Sequence, residues 1–395
     1  MAEVLKSPFP YFGGKSRIAS EVWKRFGLVK NYVEPFFGSG AVLLANPYWP
    51  EHDMLETVND ADGLLSNFWR ALQHDPEQVA HYADWPVNEN DLHARHYWLV
   101  QRTESLQAKL EGNPDFYDIK AAGWWVWGIC CWIGGGWCSG EGPWKVEDGE
   151  MRQVKDDKEG LQRRRPFLGN KGRGVYRQMS HLSRKGAGIH RKRPNLGGGF
   201  SPNRGIAVIS PSATCQERRA WLIDYFSRLA NRLRNVRVCC GDWSRVVGSC
   251  VTTQHGLTAV FLDPPYSAQA ARDNDLYRVE NGSVAHDVRR WCLENGDNPL
   301  LRIALCGYEG EHDMPENWEC LVWSAHGGYA HLGNNKGKLN RFRERVWFSP
   351  HCLKAGSETL PLFRLLEKND AGMLVAVPAH WRRGMSGRDD CDSLT

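Results

Sequence analysis

The stretch NYVEPFFGSGAVLLA, residues 31–45, decides the fold class, because its pattern changes twice within a few residues. The residues around Tyr32 and Val33 are typical of a short strand, Gly38 and Gly40 indicate a tight turn, and AVLLA begins a helix. The preceding PYFGGKSRIASEVWKRF also reads as a Gly turn and a helix, with Ser16 as the predicted N-cap. This repetition predicts an α/β domain.

Six further segments have the length and apolar content of strands. We predict a doubly wound, Rossmann-like sheet of seven strands, interrupted by one large insertion between the second and third strands. After the first strand, the predicted strands are Met54–Val58, VRVCC at 236–240, Ala259–Leu262, Leu301–Cys306, Cys320–Trp323 and Arg345–Phe348.

Composition excludes several classes of protein. With 395 residues, 42% hydrophobic and 24% charged, the chain is long enough for a catalytic domain plus an inserted module, and wholesale disorder is not expected. The opening MAEVLKSPFP has no apolar secretory segment, so the 12 cysteines predict a reducing, cytoplasmic environment rather than a disulfide scaffold. Cys130, Cys131 and Cys138 lack the spacing of a zinc site, and we expect no metal.

Positive charge is concentrated in one segment. Residues 161–216 contain 12 Lys and Arg and no acidic residue, although the net charge of the chain is only +4. Such a segment is typical of a surface that meets phosphates, and the alternative is a disordered basic linker. The candidate DNA-binding residues are Arg163, Arg164, Arg165, Lys171, Arg173, Arg191, Lys192 and Arg193.

The segment Ala121–Gly140 carries no charge and is tested as a membrane span. Its many glycines and tryptophans favour a buried helix followed by a Gly-rich loop instead. We expect its tryptophans to lie mainly in a core, and the alternative is a wedge that fills the gap left by an extruded base. The same two alternatives apply to Trp144, which follows the segment, so the cluster is Trp124, Trp125, Trp127, Trp132, Trp137 and Trp144.

The turn after the first strand predicts a nucleoside cofactor, with a plain structural turn as the alternative. Asp60 follows the next predicted strand about twenty residues beyond the glycines, where a carboxylate can accept hydrogen bonds from ribose hydroxyls. No Walker-type Lys follows Gly40, and the acidic Glu34 disfavours a phosphate and favours a cationic group. S-adenosylmethionine meets both requirements. Lys15 is predicted to pair with its carboxylate, unless it is an ordinary exposed lysine.

Five short motifs occur in a defined order: YFGGK at 11–15, EPFFGSG at 34–40, ND at 59–60, GDW at 241–243 and DPPY at 263–266. Together they resemble the Dam-type, D12 class adenine-specific DNA methyltransferases, over roughly residues 8–80 and 236–350. The resemblance implies a methyltransferase sheet with an inserted DNA target-recognition domain. It does not extend to the Asn-Arg and Phe-Asn-Gly motifs of that family, so no target sequence is carried over.

The resemblance also assigns roles to residues. It implies that the first two motifs hold S-adenosylmethionine, that Asp60 binds its ribose and that Asp242 meets its adenine ring. The cofactor candidates are therefore Tyr11, Gly13, Gly14, Lys15, Glu34, Pro35, Phe36, Phe37, Gly38, Ser39, Gly40, Asp60, Asp242 and Trp243.

The DPPY motif has a direct chemical interpretation. Hydrogen bonds from an adenine amine to the Asp263 carboxylate and the Pro264 carbonyl would localise its lone pair for attack on a sulfonium methyl group. Pro264 and Pro265 would stiffen the loop, and Tyr266 would stack on a flipped base. A rigid loop with a capping Asp is the structural alternative. This chemistry needs no catalytic metal.

The expected organisation is a cofactor-binding half at 1–80, an inserted target-recognition region at 81–235, a catalytic half at 236–380 and a polar tail at 381–395. The predicted partner is double-stranded DNA, with a cognate restriction endonuclease as a further candidate, no membrane, and a monomer or weak dimer. The predicted origin is bacterial or phage.

Rival functions are N4-cytosine methylation, disfavoured because Ser is commoner at position 263 in that group, and a DNA-binding module without catalysis. An RNA or a protein amide is a weaker rival substrate.

Overall fold

The computed structural model describes residues 5–11, 14–113, 115–132, 137–138, 144–147, 150–153, 214–265, 284–323, 343–354, 366–368 and 374–376. The chain divides into two units, Met1–Cys352 and Leu353–Thr395. The described strands are β1 (Asn31–Glu34), β2 (Leu55–Asp60), β3 (Trp144–Glu147), β4 (Glu150–Gln153), β5 (Val236–Cys240), β6 (Thr258–Leu262), β7 (Leu301–Tyr308), β8 (Glu319–Val322) and β9 (Glu344–Phe348) in the first unit, and β10 (Leu366–Lys368) and β11 (Leu374–Ala376) in the second.

The helices are numbered in the same way along the described residues. They are α1 (Ala19–Phe26), α2 (Ala41–Leu44), α3 (Gly63–His74), α4 (Pro76–Ala83), α5 (Glu89–Gly112), α6 (Ile119–Cys131), α7 (Cys215–Leu233) and α8 (Val284–Asn295). Two short 3-10 helices cover Trp243–Val246 and Thr253–His255.

The main sheet has seven strands in the order β5-β2-β1-β6-β7-β9-β8. The first five are parallel, while β9 runs antiparallel to both β7 and β8. The predicted seven-stranded α/β sheet is confirmed. β2 continues past the predicted end at Val58, because Asn59 and Asp60 still pair with Cys239 and Cys240 of β5.

The two faces of the sheet pack against different helices, because successive side chains of a strand point to opposite sides. Tyr32, Val58 and Phe261 belong to the core that includes α1, α3 and α7. Val33 and Leu262 belong to the second core, which includes α8. Helices therefore cover both faces, as a doubly wound fold requires.

The predicted N-cap of the first helix is wrong. Helix α1 begins at Ala19, and its N-cap residue, Ile18, makes no side-chain capping bond. The turn that precedes the helix is closed instead by the Lys15 carbonyl, which accepts the amides of Ile18 and Ala19 at 3.0 and 2.9 Å. Residues 16–18 form a turn on the Lys15 carbonyl, and the helix itself begins at Ala19.

The tryptophan-rich segment forms a buried helix, as predicted. Trp125, Trp127, Trp132 and Trp137 are buried, while Trp124 is partly buried. No helix among the described residues is long and apolar enough to cross a membrane. The predicted insertion boundaries at 81 and 235 stay a prediction, and residues 161–213 lie outside the described residues.

Candidate active site

The sheet order brings the predicted motifs to one edge. EPFFGSG, ND, GDW and DPPY lie at the carboxyl ends of β1, β2, β5 and β6, which are neighbouring parallel strands. The chain leaves β1 toward β2 and β5 on one side and reaches β6 and β7 on the other. The edge between β1 and β6 is therefore the topological switch point, where open α/β sheets bind their ligands.

Asn59 joins three of these strand ends. Its side-chain amide donates to the carbonyl of Pro35 at 3.1 Å and to that of Gly241 at 3.0 Å. Its own carbonyl accepts the amide of Phe37 at 2.9 Å. The Asn of the ND motif thus fixes the GSG turn and the GDW turn relative to each other.

The GSG turn requires glycine at two positions. Gly38 and Gly40 have φ values of +47° and +68°. A Cβ at Gly38 would lie 2.7 Å from the ring of Tyr11, and a Cβ at Gly40 would lie 2.9 Å from the ring of Phe37. Tyr11 of the first motif therefore packs directly on the turn of the second, and neither glycine can be replaced without displacing an aromatic ring.

Both peptide groups around Gly38 are held by side chains. Its amide donates to Asp60 Oδ2 at 3.0 Å, and its carbonyl accepts the indole N–H of Trp69 at 3.1 Å. Asp60 Oδ1 accepts the amide of Asp62 at 2.9 Å. A carboxylate has about four acceptor sites, so these two bonds orient Asp60 and are compatible with further donors such as ribose hydroxyls.

The GDW motif places an aromatic ring beside the first Phe of EPFFGSG. The rings of Phe36 and Trp243 stack with centroids 6.1 Å apart and an interplanar angle of 28°. Asp242 is exposed and caps the following 3-10 helix by accepting the amide of Ser244 at 2.9 Å. Its predicted contact with an adenine ring stays a prediction.

Asp263 of the DPPY motif is paired with Lys15. The lysine Nζ lies 2.8 Å from Asp263 Oδ2, and the two side chains are 3% and 18% exposed. Burial alone would lower the pKa of Lys15, but the carboxylates of Asp263 and Glu344 outweigh it and raise that pKa above its usual range. Lys15 is therefore an ammonium ion that lies directly on the predicted catalytic acid. The partner predicted for Lys15 from the sequence is the cofactor carboxylate, and the contact with Asp263 was not predicted.

The remaining DPPY residues are described only in part. Pro264 is buried and Pro265 is half-buried, and neither has an amide N–H to donate. Tyr266 and the cofactor candidate Gly13 lie outside the described residues. All eight candidate DNA-binding residues also lie outside them, namely Arg163, Arg164, Arg165, Lys171, Arg173, Arg191, Lys192 and Arg193.

Glu34 is a buried carboxyl group at the end of β1. It is 2% exposed, and its Oε2 accepts the phenol of Tyr32 at 2.8 Å. Burial raises its pKa well above the usual range, although the Tyr32 hydrogen bond acts in the opposite direction. Burial therefore favours the protonated form of Glu34, and a positive charge brought close to it would favour the carboxylate.

A second buried ion pair supports the helix after the GSG turn. This pair was not predicted from the sequence. Arg232 of α7 makes a bidentate contact with Glu56 of β2, at 2.6 and 2.7 Å, and donates to the carbonyl of Leu43 at 3.0 Å. Asn46 also donates to Glu56, at 3.1 Å. These contacts fix α2 to β2 and α7.

Among the described residues, no group of three or more His, Cys, Asp or Glu side chains is arranged to hold a metal ion.

No curated protein matches the chain at a significant level. A model of the D12 class N6 adenine-specific DNA methyltransferase family matches residues 11–121, which include YFGGK, EPFFGSG and ND but not GDW or DPPY. Over residues 11–121 the chain matches the D12 class N6 adenine-specific DNA methyltransferases, which confirms the resemblance predicted from its motifs and supports an adenine-specific DNA methyltransferase.

Proposed function

We propose that the protein transfers a methyl group from S-adenosylmethionine to N6 of a flipped-out adenine in double-stranded DNA. The observation that carries this proposal is that Asp263 follows β6 at the switch point of the sheet, where the neighbouring strand β1 leads into the GSG turn. The family match over residues 11–121 supports the same reaction class.

The strand ends offer groups that suit S-adenosylmethionine. Gly38 and Gly40 allow the rings of Tyr11 and Phe37 to pack directly on the turn that leads from β1 into α2. Asp60 would accept the ribose hydroxyls, and the carboxyl of Glu34 would face a cationic part of the cofactor. When bound, S-adenosylmethionine supplies an electrophilic methyl group on a positively charged sulfur.

Asp263 and Pro264 would activate the nucleophile. An adenine amine that donates to the Asp263 carboxylate and the Pro264 carbonyl moves toward tetrahedral geometry, and its lone pair becomes available for in-line attack. The N–C bond forms as the S–C bond breaks, and the sulfur takes the electron pair of that bond. The nitrogen is then cationic, so it loses one proton. Tyr266 would stack on the base, and the basic segment 161–216 would bind the DNA backbone.

Transfer of a labelled methyl group tests this function. With S-adenosylmethionine labelled at the methyl carbon, we expect label in duplex DNA in proportion to enzyme and time, and duplex DNA should compete better than RNA. Binding of S-adenosylmethionine without any transfer to DNA, together with salt-sensitive DNA binding, would favour a non-catalytic DNA-binding module instead.

Replacement of Glu34 is expected to separate stability from cofactor binding. Because the pKa of Glu34 is raised in the folded protein, its contribution to stability is present at low pH and is lost as pH rises above the usual Glu value of about 4.3 toward the raised value. Glu34→Gln removes this loss, so the free energy of unfolding at pH 8 should rise, by about 1.4 kcal/mol for each unit by which the pKa is raised. Urea unfolding at pH 5 and pH 8 measures it.

The same variant, Glu34→Gln, should bind S-adenosylmethionine about tenfold more weakly, because it removes a buried negative charge that would face the cationic cofactor. The loss in binding free energy should correspond to roughly one pKa unit or more. Calorimetric titration measures the affinity. The matched control is Glu51→Gln, since Glu51 is exposed. A Glu34→Gln protein with unchanged cofactor affinity would remove Glu34 from the cofactor site.

A further inference from the structure

A second acidic side chain, that of Glu344, lies on the same face of the sheet as Asp263 of the Lys15–Asp263 pair. In the register of β6, β7 and β9, Leu262 pairs with Leu305, and Tyr308 pairs with Glu344. Asp263 follows Leu262 directly. Since side chains alternate between the two faces of a sheet, Asp263, Cys306 and Glu344 lie on the same face.

Glu344 is buried and acts on the same ammonium group. It is 4% exposed, and with Asp263 it is one of the two carboxylates that keep the pKa of Lys15 above its usual range. The indole ring of Trp323 also lies 5.9 Å from Lys15 Nζ. Burial raises the pKa of the Cys306 thiol, so this neighbour is uncharged near neutral pH. Among the described residues, the negative charge around Lys15 therefore comes from the two carboxylates.

The proposed reaction requires Asp263 to exchange partners. Its Oδ2 atom is 2.8 Å from Lys15, and the adenine amine must reach the same carboxylate. If Lys15 had no second countercharge, its release from Asp263 would leave an unpaired ammonium ion in a buried site, which is strongly unfavourable. A second carboxylate near Lys15 removes this barrier to substrate binding.

We propose that Glu344 is a positioning residue that holds the Lys15 ammonium while Asp263 binds the adenine amine. This inference rests on the proposed function. Glu344 touches neither base nor cofactor in this account, and it acts only through Lys15.

A double-mutant cycle in the full-length protein tests the coupling. Glu344→Gln should lower kcat/KM for DNA by about tenfold, which is 1.4 kcal/mol, mainly through a higher KM. The affinity for S-adenosylmethionine should not change. Glu344→Asp, which keeps the charge, should recover most of the loss.

In a Lys15→Met background, Glu344→Gln should change kcat/KM by less than about twofold, because its partner is already gone. The matched control is Glu309→Gln, which removes an exposed carboxylate of the turn after β7, 63% exposed, that pairs with Arg345. A fully additive double mutant would show that Glu344 has only a structural role and would overturn the proposal.

Titration of Lys15 gives a readout that does not depend on catalysis. The 13Cε signal that disappears in Lys15→Met identifies the residue in lysine-labelled protein. The signal should show that Lys15 stays in the ammonium form through pH 10 in wild type. In Glu344→Gln, Lys15 should titrate at lower pH, because only one carboxylate then opposes the effect of burial on its pKa. No change in the titration would overturn the proposal. Absence of methyl transfer by wild type with this shift intact would refute the proposed function alone.

Discussion

Asp263→Ala is expected to lower the rate of methyl transfer by about 10³-fold or more, because it removes an acceptor that would polarise the attacking amine. Salt-sensitive binding to duplex DNA should stay within about twofold of wild type, since phosphate contacts supply most of the affinity. Single-turnover transfer of a labelled methyl group measures the first quantity, and a salt series of binding isotherms measures the second.

The control for Asp263→Ala tests the effect of the buried Lys15 ammonium group on stability. Lys15 is 3% exposed and loses its 2.8 Å partner in Asp263→Ala, so some loss of stability is expected. The double variant Lys15→Met/Asp263→Ala removes the buried ammonium group that has lost one of its two carboxylates, and it should regain part of the stability without regaining activity. If the double variant regains methyl transfer, the DPPY carboxylate is not part of the chemistry.

Arg232→Met is expected to lower the free energy of unfolding by about 3–5 kcal/mol, the usual cost of breaking a buried ion pair from one side. Glu56 is 5% exposed and would lose a bidentate partner, and the carbonyl of Leu43 would lose its side-chain donor. Urea unfolding at pH 7 measures the effect. The variant should also weaken cofactor binding, because α2 follows the GSG turn directly.

Two variants separate the buried pair from ordinary surface charge. Arg232→Met/Glu56→Gln removes both charges and should recover at least half of the lost stability. Arg228→Met, on the same helix, breaks an exposed pair with Asp224 and should cost less than about 1 kcal/mol. Equal costs for Arg228→Met and Arg232→Met would contradict the role given to the Arg232–Glu56 pair.

The sheet could be predicted because its signals are local. The strands β1, β2, β5 and β6 end at or just before Pro35, Asp60, Gly241 and Asp263, and the order of motifs matches the order of these strands. The extension of β2 through Asn59 and Asp60 could not be predicted, because it depends on pairing with β5, a strand about 180 positions later. The start of α1 was placed at Ser16 because a side-chain cap was assumed where the Lys15 carbonyl closes the turn.

The ion pairs of the site could not be predicted for a different reason. Lys15 and Asp263 are 248 positions apart, and Arg232 and Glu56 are 176 apart. The sequence around each of these four residues does not indicate whether its charged side chain is buried in an ion pair or exposed to solvent. Only the parallel order of the strands brings them together. A sequence signal exists for Lys15 alone, since it follows two glycines in a motif that must approach the GSG turn.

The central claim is the identity of the methylated base. Duplex DNA incubated with the protein and methyl-labelled S-adenosylmethionine can be digested to nucleosides, and the labelled nucleoside can be identified by mass spectrometry. We expect N6-methyldeoxyadenosine as the labelled product, formed by wild type and not by Asp263→Ala. Label found in N4-methyldeoxycytidine, with none in N6-methyldeoxyadenosine, would contradict it.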